Sequence, residues 1–355
     1  MEKEKAIVLT HGLLDTVMAK TAHGLLRGSA RFEILAVIDY KNVGRDAGEI
    51  LDGKHRKVPV YTSVNDYFAN SNEQPVWCVI GVALPGGKLP DDFRGELKVA
   101  VEHNVSIVCG LHTFLSEDPE FTKLATEYGV QLLDVRKPKP RNELHFWSGE
   151  IYTVKKPIIA VLGTDCAIGK RTTCRFIMEM CQQNNIYAEM IYTGQTGWMQ
   201  GYKHGLIFDS TVNDFISGEL EYAVVECARE SNPDLILLEG QSALRNPSGP
   251  AGSEYLLSAN AKGVILHHAP GREFYEGTEE IGIKIFSIES EIELIKMYSS
   301  EVIAVTLNGE HLTLAELKSY QGNLQKKLGI PVVLPLEEGV EELLSVIQHF
   351  MSRYP

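Results

Sequence analysis

The chain has 355 residues, which is typical of two domains, and its composition, 44% hydrophobic and 23% charged, is that of a globular protein. Its net charge of −13 argues against nucleic acid or an anionic membrane surface as a partner. The six cysteines form no CxxC pair, and no apolar run approaches the ~18–20 residues of a membrane span. We therefore expect no metal site, no membrane partner and a cytoplasmic location.

In the first half of the chain, short apolar runs alternate with amphipathic stretches. We predict strands at residues 6–10, 33–39, 59–62, 76–82, 106–111 and 130–135, with helices at about 15–27, 91–103 and 117–128. Buried strands that alternate with helices of this length predict a parallel sheet. Asp39 ends the second strand, where a Rossmann protein would bind ribose, but Gly12 is the one glycine present of a GxGxxG pattern, so an NAD(P) site is disfavoured. We expect this domain to shape an acceptor pocket or an oligomer interface.

Prolines and like charges at residues 136–144 indicate a linker, and a Ser-Gly turn between apolar runs at residues 145–154 predicts a hairpin. The alternation then restarts, with strands predicted at residues 157–163, 187–193, 234–240, 263–268, 301–308 and 331–336. The predicted fold is therefore α/β throughout. We assign residues 1–135 to a Rossmann-like parallel-sheet domain, 136–155 to the linker and hairpin, and 156–355 to a P-loop NTPase-type α/β domain.

The sequence GTDCAIGKRTT, at residues 163–173, has the parts of a phosphate-binding loop. A buried strand ends at Gly163, and an amphipathic helix begins at Lys170, whose ammonium group adds a full charge near the helix N-terminus. Five residues, rather than four, separate Gly163 from Gly169, and Arg171 stands where Ser or Thr normally binds Mg²⁺. The pattern favours phosphate binding over metal-dependent phosphoryl transfer. The expected phosphate-binding residues are Gly163, Thr164, Asp165, Cys166, Ala167, Ile168, Gly169, Lys170, Arg171, Thr172 and Thr173.

This loop resembles GTDTxxGKT of dethiobiotin synthetase, a P-loop ligase with the same spacing. A second likeness falls on residues 232–247, where a strand ends in Glu239; the synthetase has a Glu near its metal there. A third is the strand that ends in Asn308, where relatives contact adenine, although Asn is also a common turn residue. The resemblance implies ATP with Mg²⁺ as the ligand of a kinase or ligase.

A closer resemblance covers nearly the whole chain. It rests on the loop, on TGQTGWMQG at residues 193–201, on LLEGQ at 237–241, on HAPGR at 268–272 and on the acidic stretch from Asp209. These motifs are similar to a bacterial and archaeal family long described as a domain of unknown function, whose best-described members are similar to the D-glutamate N-acetyltransferase DgcN. The resemblance implies a Rossmann-like domain joined to a P-loop domain, with acetyl-CoA as donor and a D-amino acid as acceptor.

Polar residues at the carboxyl ends of the predicted strands are further candidates for the site. Glu239 would act as a catalytic base or hold a metal, unless it only ties down a helix N-terminus. Arg272 would bind a substrate carboxylate, or else form a surface ion pair. Of His267 and His268 only one can face the site; we take His268 as the candidate base, with a hydrogen-bonded sheet histidine as the alternative.

The predicted substrate-binding residues lie mainly in a glycine-containing turn. That turn would form a second anion-binding nest or bind the acceptor, unless it is only flexible, and Asp209 would lie over the site or cap a helix. The set is Gly194, Gln195, Thr196, Gly197, Asp209 and Arg245.

Three functions follow from these observations. The first is transfer of an acetyl group from acetyl-CoA to a D-amino acid such as D-glutamate, because CoA carries a phosphorylated ADP that a loop can hold without a metal. The second is an ATP-dependent kinase or ligase that uses Mg²⁺. The third is a non-catalytic nucleotide-binding regulator. In each case we expect a small-molecule ligand and a homo-oligomer, with no nucleic acid bound.

Overall fold

A computed structural model describes residues 2–354. These form two compact units: residues 2–138 with 195–202, and residues 139–194 with 203–354. Each unit contains a six-stranded sheet in which every paired strand is parallel. The predicted α/β class is thereby confirmed. No helix within residues 2–354 is both long and apolar enough to cross a membrane.

The sheet of the first unit has the strand order β3-β2-β1-β4-β5-β6. Its strands are β1 (Glu4–Leu9), β2 (Phe32–Ile38), β3 (Val60–Tyr61), β4 (Trp77–Ile80), β5 (Ser106–Cys109) and β6 (Leu132–Asp134). The helices between them are α1 (Lys20–Arg27), α2 (Ala47–Asp52), α3 (Val64–Asn70), α4 (Asp91–Glu102) and α5 (Pro119–Tyr128). Alternate residues of β1 face opposite ways: Ile7 and Leu9 enter one apolar cluster, Ala6 and Val8 another. The sheet is therefore covered on both faces, which explains its apolar strands.

The sheet of the second unit has the order β12-β11-β10-β7-β9-β8. Its strands are β7 (Ile158–Gly163), β8 (Ala188–Ile191), β9 (Leu235–Glu239), β10 (Gly263–His268), β11 (Glu301–Leu307) and β12 (Val332–Val333). The remaining helices of the chain are α6 (Lys170–Gln183), α7 (Gln195–Gln200), α8 (Asn213–Glu230), α9 (Ser253–Leu257), α10 (Ile288–Met297), α11 (Leu314–Leu328) and α12 (Leu343–Met351). All belong to the second unit except α7, which belongs to the first. The carboxyl ends of β7, β9 and β10 therefore lie side by side.

The hairpin predicted at residues 145–154 does not form, because no strand occurs there. Two buried carboxylates on α8 hold this segment instead. Glu219 accepts a hydrogen bond from the backbone N–H of His145 at 2.8 Å, and Glu221 accepts one from that of Ser148 at 2.6 Å. Since these amides are bonded to side chains, they are not available for a strand ladder.

Candidate phosphate-binding site

The loop between β7 and α6 has backbone N–H groups that donate to no acceptor within the described residues. Ala167 and Gly169 have positive φ angles of 53° and 117°, which turn the backbone, and a Cβ on Gly169 would lie 3.3 Å from Nε2 of His267. Within residues 2–354, the N–H groups of Ala167, Ile168 and Gly169 make no hydrogen bond. The first-turn N–H groups of α6 add to them. Such a row of donors at a helix N-terminus suits an anion.

Lys170 provides the charge at the base of this loop. Its side chain is buried, and Nζ donates to the carbonyl of Asp165 at 2.6 Å and to that of Ser242 at 2.9 Å. Burial lowers the pKa of Lys170 to about 8, although nearby acidic groups oppose the shift. Because two of its N–H donors are bound by carbonyls, the ammonium group is fixed in place with a third donor left for a ligand.

Arg272, which we expected to bind a substrate carboxylate, is bonded to the loop itself. Its Nη1 donates to the Asp165 carboxylate at 3.0 Å and to the carbonyl of Cys166 at 2.9 Å, while Nε donates to Glu310 at 2.6 Å. Asn246 also donates to the Asp165 carboxylate, at 3.2 Å. The Asp165–Arg272 pair is therefore a buried brace of the loop rather than the exposed ion pair that we considered as the alternative.

Glu239 lies at the end of β9, beside the loop. Its Oε1 is 3.6 Å from Nη1 of Arg171, and its Oε2 accepts the backbone N–H of Thr193 at 3.0 Å. Burial raises the pKa of Glu239 above its ordinary value, against the opposing effects of Arg171, the Thr193 N–H and Lys170. Arg171 thus puts a permanent cation next to the carboxylate, at the position where Mg²⁺-dependent loops have Ser or Thr.

Both histidines at the end of β10 are buried and bonded to threonine hydroxyls. His268 Nδ1 is 2.9 Å from Oγ1 of Thr164, and His267 Nδ1 is 2.5 Å from Oγ1 of Thr306 and 3.2 Å from that of Thr173. Burial lowers the pKa of His267 to about 3 and that of His268 to about 4. A neutral, bonded imidazole of such low pKa is a weak base, so these contacts favour the structural alternative for His268.

Asn308 also supports the loop. Its Nδ2 donates to the carbonyl of Ile168 at 2.7 Å, and its Oδ1 accepts the backbone N–H of Glu310 at 2.8 Å. Both polar groups of the side chain are therefore bonded within the protein. The amide that we expected near adenine is used to brace the loop.

The predicted substrate-binding residues are not gathered into one cluster within either unit. Gly194, Asp209 and Arg245 belong to the second unit, whereas Gln195, Thr196 and Gly197 lie in α7 of the first. Arg245 donates to the buried carboxylate of Glu291 at 2.9 Å and stacks 3.9 Å from the ring of Phe286. Asp209 is exposed.

The predicted turn after Gly194 is instead the helix α7, packed within the first unit. Gln200 Nε2 donates to the carbonyls of Gly24 and Gly28 at 2.9 and 3.1 Å, and the guanidinium of Arg31 lies 3.9 Å from the Trp198 ring. These side-chain contacts, which no local pattern reveals, hold the segment as part of the first unit.

Sequence reasoning singled out Arg245 in the segment that follows β9, but it missed Ser242 and Asn246. Ser242, with a positive φ of 42°, presents its carbonyl to Lys170, and its hydroxyl lies 3.4 Å from the thiol of Cys166. Asn246 bonds the Asp165 carboxylate. The polar residues after the Glu-Gly strand end were the available signal, because a chain leaving that strand must pass the neighbouring loop.

In the first unit, the turn after β1 binds a carboxylate of the protein itself. Asp39 is buried, and its Oδ2 accepts the N–H groups of Gly12 and Leu14 at 2.8 and 3.0 Å and the hydroxyl of Thr10 at 2.8 Å. In a dinucleotide-binding domain, amides of this turn bind the pyrophosphate and the acidic residue binds ribose. Here the backbone N–H groups of the turn donate to the Asp39 carboxylate, so neither the amides nor the carboxylate is left for a dinucleotide. This arrangement argues against an NAD(P) site.

No group of three or more His, Cys, Asp or Glu side chains within the described residues is arranged to hold a metal ion. The charged side chains beside the loop are the cations Lys170, Arg171 and Arg272 and the carboxylates Asp165 and Glu239.

Comparisons with known proteins cover both units. Residues 145–344 match a family described as a domain of unknown function (DUF1611_C) P-loop domain, and residues 40–138 match the corresponding DUF1611_N Rossmann-like domain. The chain is 28% identical to a D-glutamate N-acetyltransferase of Pseudoalteromonas sp. over 274 residues, which are 75% of this chain and 80% of that protein. It is 26% identical to a protein of the same name from Tritonibacter scottomollicae over 274 residues, which are 76% of this chain and 80% of that protein.

A solved structure confirms the fold. The crystal structure of a DUF1611 family protein from Anabaena variabilis matches this chain with a TM-score of 0.88, covering 98% of this chain and 100% of that one. The two sequences are 28% identical. With both family regions matched, the resemblance found in the sequence motifs is confirmed. This chain belongs to the DUF1611 family, with a Rossmann-like N-terminal domain and a P-loop C-terminal domain.

Proposed function

We propose that this protein is an N-acetyltransferase that transfers the acetyl group of acetyl-CoA to the amino group of a D-amino acid such as D-glutamate. The observation that carries the proposal is the similarity, over three quarters of the chain, to two proteins named D-glutamate N-acetyltransferase. Because the identity to these relatives is 26–28%, the assay that tests the proposal compares several amino acids as acceptors.

The loop suits the phosphates of CoA. Its free N–H groups and the ammonium of Lys170 provide donors and charge for a pyrophosphate. Acetyl transfer leaves every phosphate bond intact, so no metal has to neutralise a departing phosphate. The pairing of Arg171 with Glu239 supports this use, because a guanidinium stands at the position of the usual Mg²⁺ ligand.

The reaction itself needs a deprotonated amine, donors for the tetrahedral oxyanion and a departing thiolate. The arm of CoA between pyrophosphate and thioester extends for about 15 Å, judged from ordinary bond lengths. With phosphates on the loop, the acetyl group therefore lies well away from Lys170 and Glu239. If the loop binds the phosphates of CoA, Glu239 is too far from the acetyl group to be the catalytic base that we expected. We favour a role for Glu239 next to the bound phosphates.

The test is a product assay with purified protein. Acetyl-CoA is supplied with a panel of D- and L-amino acids, and N-acetyl products and free CoA are measured by mass spectrometry. We expect equimolar N-acetyl-D-amino acid and CoA, with D-glutamate among the substrates and L-glutamate excluded. Absence of product from every D-amino acid would refute the proposal. Parallel reactions with ATP and Mg²⁺ that release ADP only when an amino acid is present would favour a ligase or kinase.

A further inference from the structure

Four exposed aromatic side chains lie in one region of the second unit: Phe146, Trp147, Tyr152 and Tyr222. Their exposed fractions range from 37% for Trp147 to 70% for Phe146. Single exposed apolar side chains are common on proteins, but a contiguous group of them marks a surface that binds another molecule. We call these four side chains the aromatic platform.

The side chains of the aromatic platform adjoin one another. The rings of Trp147 and Tyr152 meet edge to face, with centroids 6.1 Å apart. The ring of Phe146, next to Trp147 in the chain, meets that of Phe215 edge to face at 6.0 Å. Phe215 and Tyr222 are seven positions apart on α8, so they lie on the same face of that helix. The four rings therefore belong to one surface.

The backbone beneath the aromatic platform is fixed by buried carboxylates. Glu221 accepts the N–H groups of Ser148 and Ile151, at 2.6 and 3.1 Å, and Glu219 accepts that of His145 at 2.8 Å. Both carboxylates are buried, so their bonds to the backbone are shielded from water. Aromatic rings on a fixed segment lose little conformational freedom when they are covered, which favours binding.

The charges at the edge of the platform are of both signs. Arg229 pairs with Glu150 and with Glu226, the latter at 3.0 Å, and Nζ of Lys155 donates to the carbonyl of Tyr152 at 3.4 Å. A two-fold interface places the same patch on both sides, so an edge of one sign would repel itself, whereas an edge of both signs can pair with its own copy. The net charge of −13 opposes an anionic membrane as the occupant.

The size of the platform fits a dimer interface. An aromatic side chain has about 200 Å² of surface, so the exposed fractions correspond to roughly 400 Å². Leu257, which is 54% exposed, extends the patch, because Nε1 of Trp147 donates to the carbonyl of the adjacent Ser258 at 3.2 Å. A standard interface buries about 800 Å² on each partner, of which a little over half is apolar. We propose that the aromatic platform joins two copies of this chain in a two-fold symmetric dimer, whatever reaction the protein catalyses.

The test is the association state of the whole chain, measured by sedimentation over a wide range of concentrations. We expect a wild-type dimer. Phe146→Glu and Tyr152→Glu each place a charge on the apolar surface, and two-fold symmetry brings that charge in twice. We therefore expect each to raise the dimer dissociation constant at least about 30-fold. Phe146→Ser and Tyr152→Ser, which add no charge, should raise it by a smaller factor, and thermal unfolding checks that every variant is folded.

Met297→Glu is the matched control, because Met297 is an exposed apolar side chain of α10 in the same unit. It should leave the dissociation constant unchanged. A wild-type protein that is monomeric at every concentration would overturn the inference, as would a dimer whose dissociation constant is the same in both folded Glu variants. So would a monomer that binds phosphatidylserine vesicles and loses that binding in Phe146→Glu, since the platform would then be a membrane-binding surface.

Discussion

The guanidinium of Arg171 lies 3.6 Å from the carboxylate of Glu239, and this pair joins the first turn of α6 to the end of β9. A buried carboxylate without a counter-charge would be costly. Arg171 therefore provides the counter-charge for the Glu239 carboxylate from within the protein. We infer that the site is built for phosphates that are bound and not cleaved.

Replacement of Glu239 by Gln tests whether this residue is a base. The Gln side chain keeps an oxygen that can accept the Thr193 N–H, and it no longer holds the guanidinium of Arg171 away from the phosphates. We therefore expect the affinity for CoA to be equal or higher. We expect kcat to change less than about threefold and its pH profile to be unaltered. Steady-state kinetics with D-glutamate measure both quantities. A fall in kcat of about 10²–10⁴ would instead make Glu239 the base. Glu293→Gln, on an exposed side chain of α10, is the control.

The two histidines of β10 predict how stability depends on pH. Burial lowers the pKa of His267 to about 3 and that of His268 to about 4, both below the ordinary 6.5. The unfolded chain therefore takes up protons first, so their contribution is complete above pH 6.5 and is lost as the pH falls toward 3. We expect a loss of roughly 3 kcal/mol per histidine at pH 4, measured by urea unfolding.

His268→Asn should flatten this pH dependence, since Asn does not titrate and can still bond Thr164. The exposed His349, changed in the same way, should leave it unaltered. An identical slope in His268→Asn and wild type would show that the loss of stability in acid does not come from this histidine.

Arg272 separates a bracing role from a substrate-binding role. Arg272→Lys keeps the charge but cannot bond Asp165, Cys166 and Glu310 together, so we expect at least about tenfold weaker CoA binding and a lower melting temperature. Calorimetry and thermal unfolding measure the two effects. An increase only in the KM of the amino acid, with CoA binding and stability intact, would restore the role in carboxylate recognition that the sequence suggested. Arg353→Lys, near the C-terminus, is the control.

Local pattern was enough to predict the frame of the site. The alternation of apolar strands and helices predicted both parallel sheets, and the loop sequence predicted that β7 ends at Gly163 and that α6 begins at Lys170. These features depend on periodicity and on glycine conformation, which short stretches of sequence determine. Family resemblance added the pairing of the two domain types.

Long-range side-chain contacts account for what the sequence did not predict. Residues 145–154 are held by carboxylates on α8, more than 70 positions away, and α7 belongs to the first unit through contacts with α1 and the residues after it. The sequence also did not show which groups a polar side chain contacts. Asp39 and Arg272 stand at strand ends, where ligands bind in such sheets, yet both face the protein's own groups.

The central claim, that the loop holds the phosphates of CoA, is tested most directly by the affinity of Lys170→Ala for CoA and for 3′-phospho-ADP. Loss of a charged donor should weaken both about 10- to 100-fold, and wild-type affinity should fall as the pH rises through about 8, where Lys170 loses its proton. Lys326→Ala, on the exposed face of α11, should bind as wild type. Full affinity of Lys170→Ala for both probes would contradict the assignment of this loop.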